Sequence, residues 1–274
     1  MATAPTSHVR VNTSEPALSE SSRSVRPWRG VGRRCRLTAV VFASSLVIVP
    51  GPADAATLTP ATVAAWNARV TTTEARIERE LSSWRRSLGV EDPRGTTTDV
   101  EGGLISHWRG SIFLPGIQLD TLLHRLRHPR EQGPHQEDVL AVRVLNRGTD
   151  SLDLFIRITR RKIVTVTYDT VHHVEYRRHG PLRASSRSVA TRISELDDEG
   201  RGKIPGDDRG FLWRMNAYWR YEQVRGGVIV DLESLTLSRG IPLGMGTVVS
   251  PVINRIAHES IVRTLENIRR TYSS

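Results

Sequence analysis

Cysteine is almost absent from this sequence, and its absence excludes several classes of protein. The only cysteine among the 274 residues is Cys35, which precedes the first apolar segment of the chain. The rest of the chain has no thiol with which to form a disulfide, ligate zinc or act as a nucleophile. A domain formed from it must be stabilised by a hydrophobic core, for which 38% apolar residues is sufficient.

Sequence motifs that mark common enzyme classes are also missing. The chain contains no nucleophile elbow, no phosphate-binding loop, no dinucleotide-binding fingerprint and no internal repeat. The sequence therefore predicts no cofactor and assigns no catalytic residue. His124 and His128 have the four-residue spacing seen in some zinc sites, but two histidines fall short of a site, so no metal is predicted.

The positive charge of the chain is unevenly distributed. The 39 Lys and Arg residues exceed the 29 Asp and Glu residues, and the sequence pI is about 10.8. Much of this excess lies in the first 55 residues, where arginine recurs. The remaining excess is modest for a domain of this size, so no nucleic-acid partner is predicted.

The first 55 residues have the three parts of a secretory signal peptide. A polar, arginine-containing start is followed by the uncharged apolar segment Leu37–Val49 and then by Ala53-Asp54-Ala55, a small-residue cleavage site. The apolar segment is shorter than the roughly 20 residues that a membrane-spanning helix needs. We therefore expect a periplasmic or secreted protein, cleaved before Ala56 and without a stable membrane span after cleavage.

An amphipathic helix is predicted next, over Pro60–Leu88. Thr59 is a favourable N-cap and Pro60 suits the first helical position. The helix either docks a protein partner or packs on its own domain, and its mixed acidic and basic face favours the second interpretation. Gly89–Asp99 is then predicted to be a linker, which divides the chain into residues 1–55, 56–98 and 99–274.

The remaining chain predicts an α+β fold dominated by an antiparallel sheet. A short helical segment over Leu119–Leu126 follows the first strand pattern, and a longer helix with apolar positions from Val249 to Ile268 ends the chain. Because short turns join consecutive strands, we expect about seven antiparallel strands curved around the C-terminal helix. The predicted strands are Gly103–Leu114, Val139–Arg147, Leu152–Arg160, Ile163–Arg177, Ser185–Leu196, Phe211–Gln223 and Val228–Ser238.

Two segments carry a family resemblance. Gly210–Arg220 (GFLWRMNAYWR) and Leu237–Pro242 (LSRGIP) resemble uncharacterised exported members of the START and Bet v 1 helix-grip superfamily, also called the SRPBCC or polyketide cyclase and dehydrase group. The order of strand, helix, six strands and helix resembles that superfamily over roughly Gly103–Tyr272. The resemblance implies a cavity for a lipid, sterol, polyketide or other apolar molecule, and only a minority of the group are enzymes.

The predicted ligand cavity lies between the sheet and the C-terminal helix. Wide apolar side chains alternate along one predicted strand, and one C-terminal helix cannot easily fill a large concave sheet. The cavity candidates are Trp213, Met215, Trp219, Tyr221, Ile253 and Ile261. The candidates for contact with a polar group of the ligand are Asp231, Glu233 and Arg239, although the sequence favours a surface ion pair as the simpler interpretation of these residues.

Two other functions remain open. A cyclase or hydrolase of the same fold would need ionisable groups inside the cavity, and the sequence offers only Asp231, Glu233, Arg239 and His258. A structural or interaction module would instead have a filled core and no ligand. The first hypothesis, a binding protein without catalysis, is the one that the aromatic row and the missing catalytic motifs favour.

Overall fold

The computed structural model describes residues 58–84, 87–129, 131, 138–161, 165–204, 207–239 and 246–272. The predicted signal peptide, residues 1–55, lies outside these residues, so export stays a prediction. The described chain forms three α-helices: α1 (Pro60–Ser82), α2 (Leu119–Arg127) and α3 (Gly246–Tyr272). It also forms eight β-strands: β1 (Arg94–Val100), β2 (Gly103–Pro115), β3 (Val139–Arg147), β4 (Ser151–Arg161), β5 (Thr165–Arg178), β6 (Arg183–Glu195), β7 (Arg214–Val224) and β8 (Gly227–Arg239).

The described strands form one antiparallel sheet in the order β1-β2-β8-β7-β6-β5-β4-β3. It has eight strands where seven were predicted, because Arg94–Val100, predicted as part of a linker, pairs with β2. This edge strand is mostly exposed along its length, so it lacks the period-two alternation of apolar residues that identifies a half-buried strand. Gly102, with a φ of 70°, provides the tight turn between the two strands.

Alternation along the strands gives the sheet two faces with different covers. We call the face that α2 and α3 cover the inner face, and the face that α1 covers the outer face. Strand β5 shows the alternation clearly, since every second side chain is buried. Its inward side chains are Val166, Tyr168, Thr170, His172, Val174 and Tyr176.

The long helix α3 packs on the inner face along β2. Ile261 and Leu265 form a buried cluster with Trp108 on β2 and Leu232 on β8. A Cβ at Gly110 would lie 3.2 Å from Leu265 Cδ1, so glycine at this position permits the close approach of α3. An antiparallel sheet with a long C-terminal helix on one face is the α+β arrangement that the sequence predicts.

Helix α1 covers the outer face of its own sheet. Thr59 Oγ1 accepts a hydrogen bond from Thr62 N (3.2 Å), as expected of an N-cap. Trp66 and Ile77 pack in a cluster with Ile105 on β2 and Tyr218 on β7. The helix ends at Ser82, earlier than predicted. It packs on its own domain, which is the interpretation that its mixed acidic and basic face favours. No helix in the described part of the chain is long and apolar enough to cross a membrane.

Candidate functional site

Strand β7 brings part of the predicted aromatic row to the inner face. Met215, Ala217, Trp219 and Tyr221 alternate along the strand, which begins at Arg214. Tyr221 is buried in the cluster that α2 forms, whereas Trp219 is only partly buried and contacts both this cluster and that of Ile261. Trp219 therefore lies at the junction between the parts of the inner face that α2 and α3 cover.

Trp213 is not part of this row. It precedes β7, so the alternation of the strand does not extend to it, and it packs against the cluster of Trp66 and Tyr218 beneath α1. Its Nε1 donates a hydrogen bond to Asp208 Oδ1 (3.1 Å). The prediction that Trp213 shares a face with Trp219 is therefore wrong. Ile261 lies on the inner face as expected, and the side chain of Ile253 is outside the described residues.

Several apolar side chains on the inner face remain accessible. Leu154 and Ile156 on β4, Ile193 on β6 and Trp219 on β7 point inward but are only partly buried. From Ala184 to Ala190, the inward row of β6 consists of small residues. They are Ala184, Ser186, Ser188 and Ala190. On this face, short side chains therefore lie beside apolar side chains that are only partly buried.

A strip of neutral polar groups lies within this apolar surface. Thr170 and His172 on β5 are 0% and 7% exposed, and Ser188 on the neighbouring β6 is partly exposed. Thr170 Oγ1 donates to the Ile156 carbonyl (2.8 Å) and lies 3.0 Å from His172 Nε2, while His172 Nδ1 lies 3.4 Å from Ser188 Oγ. Burial lowers the pKa of His172 to about 4, so the ring is neutral near pH 7.

Sequence reasoning missed His172 as a site residue. His172 and its neighbour His173 lie on opposite faces, and His173 binds Asp153 on the outer face. The available signal was the position of His172 in the same alternating row as Val174 and Tyr176, which placed a polar ring among buried apolar side chains.

Asp231 and Glu233 do not lie beside the predicted cavity. Both are 1% exposed, but they face α1 on the outer side of the sheet. Arg220, itself 3% exposed, donates to Asp231 Oδ1 from Nε (3.0 Å) and Nη2 (2.7 Å), and Arg109 Nε donates to Asp231 Oδ2 (3.0 Å). This placement contradicts the predicted contact with a ligand beneath the C-terminal helix.

Helix α1 completes this buried charge network. Arg76 binds Glu233, His107 Nε2 lies 2.6 Å from Glu233 Oε1, and Arg220 Nη1 donates to Glu80 Oε2 (2.5 Å). Burial alone would raise the pKa of Glu233, but the hydrogen bond from His107 and the nearby arginine charges outweigh burial and lower it. Both acids therefore lie in buried ion pairs, rather than forming the surface ion pair considered above.

The other candidate residues are dispersed. Arg239 ends β8, and its Nη1 donates to the Arg209 carbonyl (3.4 Å), away from both acids. His258 on α3 makes an edge contact with the Trp108 ring, at 5.7 Å between centroids. His124 and His128 stack on each other at 4.3 Å, and among the described residues no three potential metal ligands come together.

Two described cavities lie on the outer side of the sheet. One, of about 270 Å³, is lined by the end of α1 together with Arg109 and Arg220. The other, of about 490 Å³, is lined by the turn before β6 and the end of β7, including Arg183 and Glu222. Their paired charges suit neither an apolar ligand nor a strongly anionic one.

Comparison with known proteins gives structural similarity alone. No protein-family model matches the chain, and no curated protein matches it. A STAR-related lipid transfer protein from Xanthomonas axonopodis is similar at 18% identity, with 66% of this chain and 99% of that chain covered and a TM-score of 0.47. An aromatase/cyclase from Streptomyces sp. R1128 is similar at 9% identity, with 61% of this chain and 93% of that chain covered and a TM-score of 0.40. The human StarD13 lipid transfer domain is similar at 10% identity, with 73% of this chain and 95% of that chain covered and a TM-score of 0.40. At these identities the similarity concerns the fold.

Proposed function

We propose that the protein binds an apolar molecule between the inner face of its sheet and α3. The observation that carries this proposal is the accessible apolar surface of that face, to which Leu154, Ile156 and Trp219 contribute. Inward-facing residues of a folded domain normally lose this surface to packing, and a ligand would bury it. The resemblance stated above implies lipid-, sterol- or polyketide-like ligands.

Fluorescence titration with diphenylhexatriene, an uncharged apolar probe, tests this proposal. Trp219→Ala should weaken probe binding by about tenfold, since the indole supplies a broad apolar contact. Trp213→Ala is the matched control, because this tryptophan packs beneath α1, and binding by that variant should stay within twofold of wild type.

The same experiment separates a binding protein from a structural module. In a filled core, the wild type would bind no probe, and Trp219→Ala would lower the free energy of unfolding by about 3–5 kcal/mol. That pair of results would reject ligand binding. Equal loss of probe binding in the two tryptophan variants would also contradict the site, because it would indicate general destabilisation.

The enzyme alternative loses its predicted carboxylates. Asp231 and Glu233 are enclosed beneath α1, so neither can act on a molecule held under α3. His258 is the member of the original set that α3 carries on the inner side, beside Trp108. Among the described residues no hydrogen bond joins His258 to a carboxylate or a hydroxyl, so this histidine does not favour a cyclase or hydrolase over a binding protein.

We further propose that the protein is exported and begins at Ala56 after cleavage. The support is the run of Leu37–Val49 followed by Ala53-Asp54-Ala55. Mass spectrometry of the amino terminus of the exported protein tests it, and a terminus that retained Leu37–Val49 would contradict cleavage.

A further inference from the structure

The polar strip on the inner face has a fixed hydrogen-bond direction. A backbone carbonyl only accepts, so the single hydroxyl proton of Thr170 is used on the Ile156 carbonyl. Thr170 Oγ1 must then accept from His172 Nε2, which fixes the proton of the neutral ring on Nε2. His172 Nδ1 is therefore an acceptor, and the partner that can donate to it is the Ser188 hydroxyl.

This direction determines what Ser188 can offer to a bound molecule. Its proton is directed at His172 Nδ1, so its oxygen presents free lone pairs, which accept but do not donate. Ser188 is also the partly exposed end of the strip, whereas Thr170 and His172 are more than nine-tenths buried. A ligand would meet Ser188 Oγ first and would meet it as an acceptor.

We infer that this site selects apolar alcohols, whose hydroxyl donates to Ser188 Oγ, over carboxylates and ethers of the same chain length. The inference rests on the proposed function, because it assumes that the ligand occupies the inner face. A carboxylate would place negative charge against oxygen lone pairs in an apolar surrounding, which is costly without a donor or a cation. An ether would leave Ser188 Oγ without its hydrogen-bond partner.

Neighbouring groups support selection of an uncharged ligand. Tyr176 lies on the same inward row of β5 as His172, and burial raises the pKa of Tyr176 to about 12, so this phenol is neutral near pH 7. Burial lowers the pKa of His172 to about 4, so this ring is neutral there as well. Ser188 and its partner His172 thus supply no charge to balance that of a carboxylate.

Displacement of diphenylhexatriene by 1-dodecanol, dodecanoate and dodecyl methyl ether at pH 7.5 tests the inference. The wild type should prefer the alcohol to both competitors. The three competitors also differ in how readily they leave water, whatever residue stands at position 188. The quantity that decides is therefore the change in each preference between the variant and the wild type. Ser188→Ala should reduce both preferences by about tenfold through weaker binding of the alcohol.

Ser186→Ala is the matched control. Ser186 lies two residues away on the same inward row, but its hydroxyl pairs with Tyr221 OH (3.0 Å) and lies outside the strip. This variant should retain the wild-type preferences. Equal preferences in Ser188→Ala and wild type would overturn the inference while leaving the proposed function intact, provided that the probe binds. Failure of the probe to bind the wild type would instead overturn both.

Discussion

Arg220 and Arg177 are two arginines of the sheet that pair with glutamates of α1 in very different surroundings. The Arg220 side chain is 4% exposed and contacts Glu80, Asp231 and Glu233. The side chains of Arg177 and Glu78 are each 62% exposed. Solvent and mobile ions weaken the second pair, whereas loss of one partner in the first leaves charge buried without compensation.

We therefore expect unequal losses of stability from the same substitution. Arg220→Ala should lower the free energy of unfolding by about 3–5 kcal/mol, because Asp231 keeps only Arg109 as its cation. Arg177→Ala should cost under about 1 kcal/mol. Urea titrations of both variants measure the difference, and similar losses would show that the network beneath α1 is not buried in solution.

The charge network also shows where prediction from residues ends. Alternation along β8 puts Asp231 and Glu233 on one face with Leu235, and that face is buried. The cover could not be predicted, since it comes from α1, more than 150 residues earlier in the chain. The polar strip of Thr170, His172 and Ser188 could not be predicted for a similar reason, because it depends on the register between β5 and β6.

At the scale of elements, α3 should stabilise the fold through its inward side only. Leu265 is 3% exposed against β2, so Leu265→Ala should lower the free energy of unfolding by about 2–5 kcal/mol. Arg269 is exposed on the same helix, and Arg269→Ala should cost under about 0.5 kcal/mol. Equal effects in denaturant titrations would mean that α3 does not pack on the sheet as described.

Elements with clear periodicity were predictable, and those without it were not. The predicted strand over Val139–Arg147 has the observed bounds, and a tight turn with Gly226 at a φ of 84° joins β7 to β8, as expected of consecutive antiparallel strands. Strand β1 was missed because both of its faces are largely exposed. The start of β7 was placed too early, since Phe211, 48% exposed, continued the apolar pattern beyond the strand.

At the scale of the whole molecule, stability should fall in two stages on acidification. The pKa of His172 is lowered from 6.5 to about 4, so the unfolded chain takes up a proton between these values and the folded chain does not. This difference lowers the free energy of unfolding by about 3 kcal/mol as the pH falls from 6.5 to 4. Below the ordinary glutamate pKa of 4.5, the unfolded chain also takes up protons at Glu80 and Glu233. Because the pKa values of both groups are lowered in the folded chain, the stability that their ion pairs contribute is lost as the pH falls further.

Urea titrations across this pH range check the assignment. His172→Gln, which retains a donor for Thr170, should lose most of the first stage and keep the second, and His179, whose pKa burial also lowers, accounts for the remainder. Parallel pH profiles for the variant and the wild type between pH 6.5 and 4 would show that His172 is not buried as a neutral ring.

The pairing of β2 with β8 has a consequence for how the chain folds. Gly103 lies opposite Arg239 and Pro115 opposite Gly227, so this pair of strands, next to the β1 edge of the sheet, joins segments from the two ends of the domain. Contacts of such long range close late and make folding slow. During synthesis, the β1–β2 hairpin and α1 emerge long before β7 and β8, so their apolar residues lack the native partners that these last strands supply, such as Tyr218 and Leu235. We therefore expect the amino-terminal third of the domain to depend on chaperones until the carboxyl-terminal strands arrive.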